Sequence, residues 1–302
     1  MARLCEGRIV AISGAGRGLG RAYALELARR GARLVINDLG GSSSGEGADV
    51  GAAQAVVDEV IAAGGEAVAS THDISDWEEA EAFIDLAIST FGHLDVLVNN
   101  AGILRDRTLV SMTAQEWDDV VRVHLRGTAA TSRFAAGHWR ARSKEIGGSV
   151  DGRLINTTSA SGIYGSFGQT NYGAAKAGIA SLTIIAAKEL ERYGVTANAI
   201  APEARTRLTE ALMPEGFTGA DPAEVAPVVA WLASGRSADV TGRVFDVGSG
   251  RVSVAESWRR GPEVVKTDGF WNADELDDVI AGLLAEAAPN PDISGRTPTK
   301  AH

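Results

Sequence analysis

"GRIVAISGAGRGLG", residues 7–20, decides the fold. Its first half, "GRIVAIS" (7–13), is a short apolar run of β-forming residues, and its second, "SGAGRGLG" (13–20), is a glycine-rich loop opening into a helical pattern. Glycines at such a junction permit a tight turn and let the main chain come close to a pyrophosphate, which the helix N-terminus attracts. Gly14, Gly18 and Gly20 follow G-x-x-x-G-x-G spacing rather than G-x-G-x-x-G, and the same loop could be a turn that binds nothing. Together with Ser13, Arg17 and Leu19 they are candidate cofactor-binding residues.

The alternation begun there continues outward. "ARLVIND" (32–38), "EAVAS" (66–70), "HLDVLVNN" (93–100), "GRLINTTS" (152–159), "GVTANAIA" (194–201) and "RVFDVG" (243–248) read as strands. Helical patterns near 18–30, 50–63, 75–91, 114–143, 169–192 and 222–234 lie between them. Strands alternating with helices call for right-handed βαβ units and a parallel sheet covered on both faces, and the continuous apolar run "LDVLV" suits a strand buried on both sides. The expectation is an α/β fold: a Rossmann-type, doubly wound, seven-stranded parallel sheet over residues 1–250. After residue 250 the pattern of the sheet stops. Residues 251–302 read as a C-terminal extension holding one helix in "TDGFWNADELDDVIAGLL", with Asn272 as its cap. "LGGSSSGEGAD" (39–49) reads as a loop following the second strand.

Composition narrows the function. With 302 residues and 45% apolar content the chain can bury a core, and its net charge of −10 makes nucleic acid a poor partner. A single cysteine, Cys5, excludes an internal disulfide framework, and no Cys or His spacing suggests a metal site. There is neither a secretory signal nor an apolar run long enough for a membrane span, and "PTKAH" is no peroxisomal tripeptide, so a cytoplasmic protein is expected.

Asp38 closes the second strand, where a carboxylate accepts hydrogen bonds from adenosine ribose hydroxyls and repels a 2′-phosphate. That favours NAD over NADP. Arg17 argues the other way, as a cation able to reach such a phosphate or as a solvated turn residue. Asp73 either holds the adenine amino group or caps the helix before "SDWEEAE". "NNAG" (99–102) ends the fourth strand and is either a common turn or a slim cofactor wall of Asn100, Ala101 and Gly102. Pro202 and Thr206 complete the candidate cofactor contacts.

Tyr172 and Lys176 stand one helical turn apart, on the same face. A nearby ammonium favours the phenolate and lowers the phenol's pKa, which fits Tyr172 for acid–base work on an alcohol or ketone. Ser159, at the end of the fifth strand, can hydrogen-bond the same substrate oxygen. Any Tyr-x-x-x-Lys pair alone is usually a solvated helix face; the order of glycine loop, Asp38, "NNAG", Ser159, Tyr172 and Lys176 is what gives it meaning.

In that order of motifs the chain resembles the short-chain dehydrogenase/reductase family over roughly residues 5 to 250. The resemblance implies that Tyr172 is the catalytic base, that Ser159 polarises the substrate, and that Lys176 binds the nicotinamide ribose and lowers the tyrosine pKa. Tyr172 and Lys176 thereby count among the cofactor contacts as well. His124 in "VRVHLRGT" stands where the family commonly has an asparagine of the proton relay, and it is read either as a relay member or as a packing residue. Glu203 replaces the glycine usual after the proline. The family is usually dimeric or tetrameric, which makes a homodimer or homotetramer the expectation.

"GRAYALELARRGARLVINDLGG", "NNAGILRDRTL" and "SASGIYGSFGQTNYGAAK" further resemble the (3R)-hydroxyacyl-CoA dehydrogenase units of type 2 peroxisomal multifunctional enzymes. This implies NAD-dependent oxidation of a (3R)-hydroxyacyl-CoA, with any hydratase on a separate protein. Steroids and sterol side-chain acyl-CoA esters are the alternative substrates. The region "TRLTEALMPEGF" (206–217) offers Leu208, Leu212, Met213 and Phe217 as an apolar lid or as an ordinary amphipathic helix. Arg105 and Arg107 are either CoA-phosphate contacts or solvated side chains, and Trp258, Phe270 and Trp271 in the extension could cover a partner subunit or the substrate mouth.

Overall fold

The computed structural model describes residues 3–42, 47, 51–204, 221–256 and 258–297. The opening unit folds as its sequence suggests, with strand β1 (Ile9–Ser13) running through the glycine loop into helix α1 (Gly18–Arg29). The remaining strands are β2 (Arg33–Asn37), β3 (Glu66–Ser70), β4 (Val96–Asn99), β5 (Gly152–Thr157), β6 (Val195–Pro202), β7 (Val244–Gly248) and β8 (Arg251–Ala255). Helices α2 (Gly51–Ala62), α3 (Trp77–Phe91), α4 (Ala114–Val121), α5 (Gly127–Ile146), α6 (Ala160–Ile163), α7 (Thr170–Leu190), α8 (Pro222–Leu232) and α9 (Leu276–Glu286) connect or follow them.

The sheet order is β3-β2-β1-β4-β5-β6-β7-β8. β1 to β7 are parallel throughout, and β8 is antiparallel to β7. The seven-stranded parallel sheet expected from the sequence is therefore present, with an eighth strand from residues that the sequence pattern left outside it. Only the last residue of β8 is buried, so its apolar signal is weak. What marks it is the turn: Ser249 (φ 50) and Gly250 (φ 71) form a two-residue hairpin loop of the kind that left-handed residues favour.

Alternation along the strands builds two cores. Val10, Ile12, Leu34, Ile36, Val96 and Val98 face α1, α2 and α8, meeting Tyr23, Leu27, Val56 and Val229. Ile9, Ala11, Val35, Leu97 and Leu154 face the other helical layer, meeting Phe83, Ile84, Trp139 and Leu190. Local signals set the helix ends. Asp76 caps α3 by accepting from Glu78 N and Glu79 N, and Gly92 (φ 92) stops it. Asp221 and Pro222 start α8.

The single helix expected over 114–143 is instead α4 and α5 joined by a π-helical stretch, Arg122–Arg126. Such widened turns re-aim side chains and are frequent at functional sites. Asn272 does cap the C-terminal helical segment, in a capping box with Glu275, and no residue of α9 is buried. No helix among the described residues is long and apolar enough to cross a membrane.

Candidate active site

β1 pairs with β2 on one side and β4 on the other, so connections leave in opposite directions above this pair of strands. In open α/β sheets that is where ligands bind, at the carboxyl ends of the strands. A cavity of about 380 Å³ lies there, running from the glycine loop to α7.

Main chain builds one end. Gly14 adopts φ +63, and a Cβ on it would fall 2.6 Å from Ala101 Cα, so only glycine lets the two loops meet. No side chain caps α1, whose N-cap is Arg17, and its first-turn N–H groups are left to an anion. Asp38 Oδ2 accepts from Gly16 N at 2.8 Å and Oδ1 from Gly40 N at 2.7 Å. Both oxygens keep lone pairs for further donors. Gly14, Arg17, Gly18, Leu19, Asp38, Asn100, Ala101, Gly102 and Pro202 all line the cavity. Ser13 and Gly20 lie beneath it: Ser13 Oγ accepts from Asn100 N and Ala101 N at 3.1 and 3.3 Å, joining the ends of β1 and β4. The bare glycines, open helix end and strand-end carboxylate fit a dinucleotide.

Side chains build the other end. Ser159 follows β5 and caps α6, its Oγ accepting from Ser161 N at 3.2 Å. Tyr172, in the first turn of α7, lies close enough for the Ser159 hydroxyl to bear on its protonation. Lys176, one turn on, is buried, with Nζ donating to Thr157 O at 2.7 Å and lying 5.5 Å from the Tyr172 ring centre. These residues meet because α6 presses on α7 at Gly162, where a Cβ would come within 2.6 Å of Ala177 N. Thr158 Oγ1 fastens the same place by donating to Lys176 O at 2.7 Å.

Burial governs the protonation of this end. It pushes the Tyr172 phenol up to about 12; the Ser159 hydroxyl opposes the rise and the Asp106 carboxylate adds to it. Burial alone brings Lys176 down to about 7. In this arrangement the phenol therefore stands above its ordinary value, with loss of water as the first cause. His124 is brought down to about 3, by burial first and the Lys176 charge second. Its ring stands edge-on to Tyr172 at 5.2 Å, and Nε2 lies 2.8 Å from Ile103 O and 3.1 Å from Ile103 N. His124 Nδ1 is buried with no hydrogen-bond partner among the described residues.

Other expectations land differently. Asp73 lines the cavity, yet Oδ1 accepts from Ser75 N and Ser75 Oγ at 2.9 and 2.6 Å, and Asp76 takes the helix cap. Arg107 pairs with Glu116 at 2.9 Å, and Arg105 lies 3.8 Å from Asp119. Glu203 accepts from Ser249 Oγ at 3.2 Å and faces Arg251 at 3.4 Å, tying β6 to the β7–β8 hairpin. Thr206 and the lid candidates Leu208, Leu212, Met213 and Phe217 lie outside the described residues. Sequence reasoning missed Ser161, Gln169 and Asp106, which form a hydrogen-bonded line behind Ser159. For Ser161 and Gln169 the signal was a polar residue recurring among the small ones of "SASGIYGSFGQTNY", too common to single out, and Asp106 lies outside that stretch.

A family profile described as short chain dehydrogenase matches residues 8–215. A crystal structure of a short chain dehydrogenase from Mycobacterium avium superposes with a TM-score of 0.86 at 50% identity, over 96% of this chain and 98% of that one. Hydroxyacyl-CoA dehydrogenase ChsB1 of Mycobacterium tuberculosis is 41% identical over 96% of this chain and 92% of its own length. Peroxisomal multifunctional enzyme type 2 of Mus musculus is 44% identical over 84% of this chain, which spans only 33% of that protein. The peroxisomal hydratase-dehydrogenase-epimerase of Neurospora crassa is likewise matched over 28% of its length.

Proposed function

The chain belongs to the short-chain dehydrogenase family, and we propose that within it the protein oxidises a (3R)-3-hydroxyacyl-CoA to the 3-ketoacyl-CoA with NAD. An oxidoreductase acting on CH–OH groups with a nicotinamide dinucleotide is the premise. The observation that carries the reading is the convergence of Ser159, Tyr172 and Lys176 in the same cavity that Asp38 bounds at its far end.

Ser159 holds the substrate oxygen by hydrogen bonding, which also fixes the distance from that oxygen to Tyr172. The Tyr172 oxygen takes the hydroxyl proton as the carbonyl forms, or returns it in reduction. Lys176 keeps a donor beside the phenol and, when protonated, stabilises the charge that develops there. A nicotinamide dinucleotide held by the glycine loop and Asp38 would supply the acceptor for the hydride that leaves the carbinol carbon. Because burial holds the phenol protonated to about 12, oxidation should speed up with rising pH, whereas reduction finds its proton donor ready at neutral pH.

Asp38 supports NAD: it accepts at both oxygens, suits ribose hydroxyls and opposes a 2′-phosphate. The acyl-CoA assignment is supported by the relative named a hydroxyacyl-CoA dehydrogenase, which this chain spans almost fully. A homo-oligomer, with residues 251–302 as an extension of the catalytic unit, completes the proposal. The experiment is reduced-nicotinamide formation with NAD and a (3R)-hydroxyacyl-CoA, beside its (3S) isomer and a hydroxysteroid. Turnover of the (3R) ester alone is expected; oxidation of the steroid alone would overturn the substrate and leave the chemistry standing.

A further inference from the structure

Behind Ser159 a line of side chains leads from the cavity wall to a carboxylate. Ser161 Oγ donates to Gln169 Oε1 at 2.5 Å, and Gln169 Nε2 donates to Asp106 Oδ2 at 2.8 Å. Ser161 and Gln169 are buried, and both line the cavity. The line is anchored at both ends. Ser161 N donates to Ser159 Oγ at 3.2 Å, and the loop carrying Asp106 is bridged through the main chain of Arg107 to Gln169. Gln169 also sits at the N-cap of α7, three positions before Tyr172.

The chemistry of the line has one direction. An ionised carboxylate only accepts, so it must face the amide NH₂ of Gln169; the amide oxygen then faces Ser161, whose hydroxyl proton is committed to it. Asp106 thus decides the orientation of an amide and a hydroxyl that would otherwise each have two choices. Its second oxygen, Oδ1, is buried with no hydrogen-bond partner among the described residues. Burial raises the pKa of Asp106, so the ionised form costs the fold stability at neutral pH. A carboxylate kept at such a place is not explained by packing.

We propose that Asp106 is a positioning residue for the reacting pair Ser159 and Tyr172, acting on them through Gln169 and Ser161. The assignment rests on the reading of that pair given above. It adds a field to the geometry: among the described residues, the titratable and charged groups facing the phenol are Lys176 on its own helix, His124 from the π-helical stretch and Asp106 from the loop after β4. Of these Asp106 alone is anionic, and it opposes the phenolate. The line therefore holds Ser161, whose main-chain N–H meets the Ser159 hydroxyl, while the carboxylate keeps the proton on Tyr172.

Asp106→Asn and Ser161→Ala separate the two effects. Asp106→Asn removes the charge and lets either end of the new amide face Gln169. Ultraviolet titration of the phenolate, taken as the difference from the same chain carrying Tyr172→Phe, is expected to show Tyr172 ionising at lower pH. The rising limb of alcohol oxidation should move the same way, and the plateau rate should fall by about tenfold, as for a reacting group held slightly out of place. Ser161→Ala should lower the plateau comparably and leave the titration where it was, because the carboxylate remains. Asp106→Asn should fold at least as well as the parent, which thermal unfolding at neutral pH checks. Unchanged titration and plateau in Asp106→Asn would overturn the proposal, and a shifted titration with a full plateau rate would overturn the positioning part. The titration needs no substrate. A shift seen in a chain that oxidises no acyl-CoA would therefore count against the substrate reading and in favour of Asp106.

Discussion

At the glycine-loop end the cavity is walled by main chain, whereas at the α7 end it is walled by side chains that burial moves toward their neutral forms. Around Gly14 and Asp38 the controlling quantity is space: an added methyl group would collide with Ala101, and the carboxylate is clamped by two backbone N–H groups. Around Tyr172 the controlling quantity is water. Phenol, ammonium and imidazole are all moved toward their neutral forms by its exclusion. The same cleft thus recognises by shape at one end and prepares protons at the other. Changes at the first end should appear in cofactor binding, and changes at the second in turnover and pH dependence.

The sharpest way to break that division is Tyr172→Phe. Turnover should fall by about a thousandfold, within the range for loss of a general acid–base group, while the cofactor dissociation constant barely moves. Stopped turnover with equally weakened cofactor binding would erase the distinction. Gly14→Ala tests the opposite end. The residue would need φ +63 and 2.6 Å from Ala101 Cα, so cofactor affinity measured by fluorescence titration should drop by roughly a hundredfold, with about 1–3 kcal/mol of lost stability.

Lys176→Met sharpens the role of water. The lysine's folded pKa, about 7, lies below its ordinary 10.5, so its ammonium opposes folding below pH 7, and that cost fades as pH rises from 7 to 10.5. The variant should lose activity yet melt several degrees higher than the parent at pH 6, the gain shrinking toward pH 10. The cost removed is at most on the order of 5 kcal/mol, offset in part by the lost bond to Thr157 O. Asp38→Ala should have the smallest effect. Preference for NAD over NADP, measured as a ratio of kcat/KM values, should relax by roughly tenfold, and affinity for both should weaken because Gly16 N and Gly40 N lose their acceptor.

Legibility in the sequence followed the same division. Glycines at a strand–helix junction, Asp38 at a strand end, and Tyr172 four residues before Lys176 are local patterns, and the structure brings all of them to one cavity. The strand and helix succession was equally plain, because each element's apolar period is local. What escaped needs partners distant in the chain. Asp106 acquires its place from Gln169, a bond across 63 positions, and nothing near "RDR" announces it. β8 escaped because an edge strand buries little, and the π-helical stretch at His124 because widening a helix leaves its apolar pattern almost unchanged. The tyrosine's protonation escaped for a different reason: spacing names the neighbour, while the loss of water around the pair depends on the whole fold.

The contact between β1 and β4 has a consequence for how the protein comes into being. Val10 pairs with Val96, and Ser13 holds Asn100 across 87 positions, whereas β1 and β2 join over some two dozen residues. A chain emerging from the ribosome can therefore form its first βαβ unit well before the seam beneath the cavity can close. Long-range closures of this kind are slow steps in folding. A dinucleotide can grip only the completed seam, so it should leave the folding rate nearly unchanged and instead slow unfolding, acting as a latch on the native state.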